Sequence, residues 1–297
     1  NELRELAIKA PRPACPNDAK QAVVFMYEIL VCASALLESS NKALDSLVLE
    51  MKSKRIIPGT IQRTLFSFDM TKQSMDKIVT LLRDHWPIVK IDHRFYEPYF
   101  LVCMLEMIKR GEVRIETNAS SAPDEKRLQV MKAKMRETVN VCLQVFDDVR
   151  TTIFDKWGKF LAYFGDCNGV RVTISLLLEE QDVTLRVIPE ALPWLWSSLI
   201  TAFINLNRLD DAIGVLNEIR AINAKPSKAH YKQLIEACST ISNAEARSKK
   251  VFELYNRMLG DGLAPDTPLF NTMKQQLELP IDLKKLSTEA KKFHITI

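Results

Sequence analysis

Few side chains in this sequence stand at spacings that chemistry requires. The four histidines are His85, His93, His230 and His294. His85 and His93 lie eight apart across Pro87, with no cysteine beside them, so no zinc-ligand spacing is present. The six cysteines (Cys15, Cys32, Cys103, Cys142, Cys167 and Cys238) form no C-x-x-C pair. Most of them sit in apolar helical stretches, where Cys acts as a small hydrophobe, and buried, reduced thiols are expected. Two carboxylate pairs, Asp147-Asp148 and Asp210-Asp211, have the chemistry to hold a divalent ion. Asp210 and Asp211 also fall in the first turn of an expected helix, where acids complement the macrodipole. Asp147 and Asp148 read equally as a solvated helix face. There is no G-x-x-x-x-G-K-[ST], no G-x-G-x-x-G, no H-E-x-x-H, and no H-x-E with P-C-x-x-C. No catalytic residue, metal ligand or cofactor site is therefore expected, and the chain reads as a binder.

The elements that position these side chains are helical. Only 8 of 297 residues are Gly, 47% are hydrophobic and 26% are charged. Scarce Gly removes the turns that a many-stranded barrel or sandwich needs. No apolar run reaches the ~18 residues of a membrane span, because Ala22–Leu37 is broken by Glu28. A soluble, all-α chain is expected, without a membrane partner. Net charge is a mild +4 and does not by itself separate a nucleic-acid binder from a scaffold. Asn1–Lys20 shows neither a signal peptide nor an Arg/Ser-rich transit segment.

Internal repetition organises the C-terminal half. In 193–227 the first stretch sets Trp196, Leu199, Ile200 and Phe203 on one helical face. Asn205–Asn207 breaks it. A second stretch repeats the pattern with Leu209, Ala212, Ile213, Leu216 and Ile219, and Lys225-Pro226-Ser227 closes the unit. The next unit, 228–266, opens with His230, Tyr231, Leu234, Ile235 and Cys238. It takes 39 positions against 35, with Ser239–Ala246 as a longer turn. A third start, Thr267–Leu277, breaks off at Leu279-Pro280. Two short amphipathic helices in a hairpin cannot bury their apolar faces alone, so stacking is expected.

The tract from Tyr231-Lys232-Gln233-Leu234-Ile235 to Met258-Leu259-Gly260-Asp261-Gly262-Leu263-Ala264-Pro265-Asp266 resembles a pentatricopeptide repeat (PPR). The match spans about 193–277. The resemblance implies a right-handed α-solenoid of helix-turn-helix repeats. Six segments are expected: an N-terminal arm (1–23), degenerate helical repeats (24–110), an exposed polar loop (111–126), further helical repeats (127–192), the clear repeats (193–277) and a C-terminal tail (278–297). Upstream, Val24–Leu37 and Ala43–Pro58 read as one hairpin, Thr60–Asp92 as another, and His93–Arg110 as a first helix. Arg127–Val149 reads as its amphipathic partner. Phe154–Pro189 reads as a further unit, with Trp157, Phe160, Leu161 and Phe164 in its first helix.

The same resemblance implies binding of RNA, one base per repeat, through the fifth and last positions. Those positions fall at Ser197 with Ser227, at Lys232 with Asp266, and at Asn271. Ser197–Ser227 lacks a terminal carboxylate or amide, and Lys232 is a cation beside its own acid, so a modular base code is not expected. Trp194 occupies the second position, either as a stacking platform or packed on the preceding repeat. Basic clusters at Lys52–Arg55, Lys132–Arg136, Arg247–Lys250 (with Lys249 and Lys250) and Lys284–Lys292 read as phosphate contacts or as solvated helix faces. The resemblance further implies a mitochondrial (matrix) ribonucleoprotein, such as a mitochondrial ribosome or an RNA processing or editing assembly. RNA, single-stranded or ribosomal, and other protein subunits would be its partners. A protein scaffold without RNA contact is the alternative.

Overall fold

The computed structural model describes residues 16–36, 41–57, 71–86, 93–116, 124–145, 152–179 and 188–295, and among them there are helices and turns but no strand. The all-α expectation holds. The chain divides into two compact units. One comprises Asn1–Val113 with Ala133–Arg150, the other Arg114–Lys132 with Thr151–Ile297.

The first unit contains α1 (Pro16–Leu36), α2 (Asn41–Ser53), α3 (Lys72–His85), α4 (His93–Lys109) and the greater part of α5 (Glu125–Val145). α1 packs on α2 and α3, and α3 packs on α4. Thr71 caps α3 by accepting from the Ser74 N–H at 3.1 Å. Val31, Cys32, Val48, Met51, Ile78, Leu82, Tyr99, Phe100 and Met104 form its core. The expected arm 1–23 already contains the start of α1, and its first fifteen residues lie outside the described residues, as do 60–70 and 87–92 of the second expected hairpin.

In the second unit the repeating layout is explicit. The hairpins are α6 (Thr152–Tyr163) with α7 (Cys167–Glu179), α8 (Ile188–Asn205) with α9 (Leu209–Ala221), α10 (Lys228–Ala237) with α11 (Ala244–Gly260), and α12 (Thr267–Gln276) with α13 (Pro280–Lys292). The first helix of each stacks on the first helix of the next: α8 on α6, α10 on α8, α12 on α10. Each second helix packs on its own first helix. These are stacked helical hairpins in a solenoid arrangement.

Local sequence explains where each hairpin turns. After α6, α8, α9 and α11 the chain passes through a left-handed residue: Gly165, Asn207, Asn223 and Gly262, with φ of 72°, 57°, 58° and 78°. The amide N–H of the following residue then reaches back to the last helical turn: Asp166 to the Leu161 carbonyl at 3.0 Å, Arg208 to Phe203 at 2.9 Å, Ala224 to Ile219 and Leu263 to Met258 at 3.2 Å. Gly and Asn tolerate this conformation, and the back-bond satisfies carbonyls that a helix end leaves open. Side-chain caps restart the chain at Ser227, Asn243 and Asp266.

Three expectations change. The segment 278–297 is not a tail: Pro280 begins α13, whose Leu286 and Ala290 are buried. Proline suits the first turn of a helix as well as it ends one, so Leu279-Pro280 starts the second helix of the third hairpin. Phe164 is not part of α6 but lies in the turn after it, 38% exposed, where its N–H bonds the Leu161 carbonyl and left-handed Gly165 follows to close the turn. The loop 111–126 is anchored where it is described. Val113 is buried, and the Glu116 N–H donates to Asp166 at 3.2 Å; residues 117–123 lie outside the described residues.

α8 is covered by α6, α7, α9 and α10, and its Leu199 and Ile200 are wholly buried. Leu199→Ala should cost about 2–5 kcal/mol of unfolding free energy. Nearest-neighbour coupling should carry the loss into 228–266, read as lowered hydrogen-exchange protection there. An unchanged melting temperature would contradict this register.

Candidate nucleic-acid interface

The first helices of the four hairpins (the A helices: α6, α8, α10 and α12) bury one stripe and expose the other. On α8 the buried stripe is Leu195, Trp196, Leu199, Ile200 and Phe203, whereas Trp194 is 44% exposed and Ser197 is half-buried. On α10, His230, Tyr231, Leu234 and Ile235 are buried and Lys232 is partly exposed. On α12, Leu269, Phe270 and Met273 are buried and Asn271 is exposed. The predicted readout positions Ser197, Lys232 and Asn271 therefore recur at the same place, one per hairpin, on the uncovered side of stacked helices. Trp194 is not packed away, and its indole offers a stacking face beside Ser197.

Directional bonds hold that row in register. Gln233 Nε2 of α10 donates to the Ser197 carbonyl at 3.1 Å and to Thr201 Oγ1 at 2.6 Å on α8. His230, 1% exposed, uses both ring nitrogens. Its Nδ1 accepts the Ser227 backbone N–H at 3.0 Å, while Ser227 Oγ accepts the His230 N–H at 3.4 Å, which makes a reciprocal cap. Its Nε2 lies 2.9 Å from the Pro193 carbonyl on α8. A carbonyl only accepts and a backbone N–H only donates, so the ring must be neutral with the proton on Nε2. Burial pushes its pKa below the ordinary 6.5, against the raising pull of the Pro193 carbonyl.

The closing positions are already engaged. Ser227 caps α10. Asp266 caps α12, with Oδ1 accepting the Leu269 N–H at 3.0 Å and Oδ2 accepting Lys228 Nζ at 2.8 Å. Partial burial pulls the Asp266 carboxyl up, but Lys228 and the Leu269 N–H outweigh it and hold the group below the ordinary range. The direct partner of Asp266 is thus Lys228. Lys232 instead faces Glu236 one turn along, at 3.7 Å.

Sequence reasoning missed a second junction. Arg220 at the end of α9 sends Nε and Nη2 to the Asp261 carboxylate at 3.1 and 2.8 Å, and Nη2 also reaches the Tyr231 hydroxyl at 2.9 Å. Tyr231 donates to the same carboxylate. Burial raises Asp261, while the bonds from Arg220 and Tyr231 more than offset it and leave the carboxyl low. This bond joins residues 41 apart and has no local sequence signal. The Ser227/His230 cap had one: Ser followed three residues on by a side chain that accepts.

The basic clusters are partly paired with acids. Lys250 stands between Glu253 at 3.4 Å and Asp210 at 3.6 Å. Arg247 is buried, bonding the Gln276 and Ile241 carbonyls and Glu278. Lys132 pairs with Glu179, and Lys134 with Glu112 and Glu137 at 3.1 and 3.0 Å. Lys54 pairs with Glu50 at 2.8 Å. Lys249 is exposed, but on α11 rather than on an A helix. Of the carboxylate pairs, Asp211 takes Arg208 at 2.8 Å, and Asp147-Asp148 lies outside the described residues. Among the described residues no group of three or more His, Cys, Asp or Glu is placed to hold a metal. No described helix is long and apolar enough to cross a membrane. Cys32, Cys103, Cys142, Cys167 and Cys238 are buried free thiols, and burial pushes Cys167 and Cys238 up to about 11.

No family profile and no curated protein matches the sequence. Solved structures similar to the chain include the pentatricopeptide repeat protein PPR10 from maize, with 14% identity over 98% of this chain and 42% of that one, at a TM-score of 0.44. A cysteine-to-serine variant of PPR10 in complex with an 18-nt PSAJ RNA element matches at 14% identity over 99% and 43%, with a TM-score of 0.40. PPR10 in complex with an 18-nt psaJ RNA element matches over the same shares at 0.32. The chain spans about two fifths of the length of these structures. TM-scores below 0.5 leave the stacked-hairpin reading resting on the packing of the helices themselves.

The neutral His230 bridge has a pH signature. Its pKa is lower folded than unfolded, so the stability it contributes is full above 6.5 and falls as the unfolded chain binds a proton below that value. Thermal unfolding should show a drop in melting temperature between pH 7.5 and 5.5. His230→Ala should cost about 2 kcal/mol at neutral pH and flatten that slope. A slope of unchanged steepness in the variant would assign it to other groups.

Proposed function

We propose that this chain is a non-enzymatic, PPR-type component of an organellar, mitochondrial ribonucleoprotein. It holds single-stranded RNA weakly along the uncovered stripe of its A helices and presents a separate surface to protein neighbours. The observation that carries this reading is the recurrence of Ser197, Lys232 and Asn271 at one equivalent, partly or fully exposed place in each of the last three hairpins, with Trp194 exposed beside the first. A polymer that repeats by one base fits a surface that repeats by one hairpin. The mitochondrial location, and a place in a ribosome or a processing or editing assembly, are supported by the sequence resemblance alone.

The same geometry argues for weak, unselective contact. Ser227 and Asp266 spend their oxygens on helix caps and on Lys228, so base edges meet few free acceptors there. The basic clusters are partly neutralised by neighbouring carboxylates, so phosphate attraction is modest. These engaged side chains also favour the second reading, a protein scaffold without RNA contact.

Fluorescence anisotropy with single-stranded RNA oligonucleotides of several sequences, at three or more salt concentrations, separates the two. Binding should be weak, nearly equal across sequences, and fall steeply with salt, because counterion release gains less as bulk salt rises. Trp194→Ala should weaken it by about tenfold through loss of one stacking contact, and Lys232→Glu should weaken it equally for every sequence. No binding at any salt would leave the scaffold; tight, salt-insensitive and sequence-selective binding would overturn the account of the engaged side chains.

A further inference from the structure

A groove of about 650 Å³ runs between α11 and α13, on the second helices of the last two hairpins. Its floor is Phe252 and Ser248, and one wall ends at Ile281, which is 75% exposed. Ser248 is 4% exposed, and its hydroxyl has no hydrogen-bond partner. A buried hydroxyl left unpaired costs about 1–3 kcal/mol, so a partner that reaches it gains a bond the free protein lacks. Lys285 lies 4.0 Å over the Phe252 ring, with its ammonium at the rim.

The rim carries both signs in a fixed order. Along α11, Glu245, Lys249 and Glu253 follow one another at four-residue spacing, and across the groove stand Asp282 and Lys285. A phosphate backbone brings one negative charge per nucleotide and would meet a carboxylate at every second step, so RNA is a poor occupant. A second copy is equally poor. The order Glu–Lys–Glu is a palindrome, and a two-fold-related copy laid antiparallel would place like charge on like. An α-helix with Lys–Glu–Lys at the matching spacing is complementary. The α11 side, Glu245 to Asn256, runs about 16 Å at 1.5 Å per residue, the length of three helical turns.

We infer that the groove between α11 and α13 docks an amphipathic helix of a partner protein, with apolar anchors against Leu279 and Ile281, a polar side chain at Ser248, and charges alternating against Glu245, Lys249 and Glu253. This deepens the protein-binding half of the function proposed above and does not depend on its RNA half.

The probe is a stapled three-turn peptide with Leu at i, i+4 and i+7 and a flanking Lys–Glu–Lys at i+1, i+5 and i+9, titrated by anisotropy against the full 297-residue chain. Saturable binding is expected, on the order of micromolar. Ile281→Asp should weaken it at least about tenfold, and its melting temperature should match the parent because the residue is exposed. Lys249→Glu should also weaken it, and a peptide with Lys–Lys–Lys on that flank should restore affinity to Lys249→Glu while binding the parent less well. The inference is overturned if neither peptide binds, if Ile281→Asp changes nothing, or if the charge swap fails to rescue. Displacement of the peptide by a uridine 12-mer would make RNA the occupant, and a dimer abolished by Ile281→Asp in sedimentation would make it a second copy; either overturns the inference too. RNA binding, measured separately with Trp194→Ala, distinguishes a failure here from a failure of the RNA reading.

Discussion

A two-helix hairpin carries more apolar surface than its two helices can cover on one another, and this shortage shapes the C-terminal unit. Trp196, Leu199, Ile200 and Phe203 of α8 are buried because α6 lies on one side and α10 on the other. Hydrophobic burial supplies the drive but is non-directional, so it would tolerate a hairpin slipped by a turn. The polar bonds between hairpins remove that freedom. Gln233 reaches Ser197 and Thr201, His230 reaches Pro193, and Arg220 ties Tyr231 to Asp261. Each has a partner at a fixed position on the next hairpin, and a slip would leave buried polar atoms unpaired.

Register draws on side chains that the proposed RNA contact would also need. The residues that end one hairpin and start the next also border the uncovered stripe where a strand of RNA would lie. Ser227 and Asp266 terminate that stripe as helix caps, and Lys228 fills the remaining carboxylate oxygen of Asp266. Stability of the stack thus works against selectivity of the surface. The exposed positions free of this duty, Trp194 and Asn271, offer a stacking face and an amide.

The sequence made the clear hairpins legible because their punctuation is local. Asn207, Asn223 and Gly262 mark the turns, Pro226 and Pro265 mark the ends, and the apolar spacing between them is helical. It misled at Leu279-Pro280, because proline closes one helix and opens another with equal ease, and only the packing of Leu286 and Ala290 shows which. The positions Trp194, Ser197, Lys232 and Asn271 followed from the family resemblance and not from the stripe pattern. The pairing of Asp266 followed from neither, since Lys228 and Lys232 lie a turn apart and spacing alone cannot choose between cations 38 and 34 residues from the acid. The groove at α11 and α13 was illegible for the same reason: half of it belongs to a helix that read as a tail.

The second unit does not begin where its first hairpin does. Asp166, with its side chain fully buried, caps α7 through the Gly169 N–H at 2.9 Å and takes its only nearby guanidinium among the described residues, Arg127, at 2.7 Å. Burial lifts its carboxyl above the ordinary value even so. Arg127 comes from the start of α5, ahead of all four hairpins, and also grips the Arg114 carbonyl and Glu116. An expression boundary drawn at Thr151 by counting repeats would keep the carboxylate and discard the cation. Stranding a buried charge in this way costs about 3–5 kcal/mol, and that loss would fall on the first hairpin of the stack. The segment Arg114–Lys132 belongs with the hairpins it closes, while α5 runs on from it into the first unit, so no single cut separates the two units cleanly.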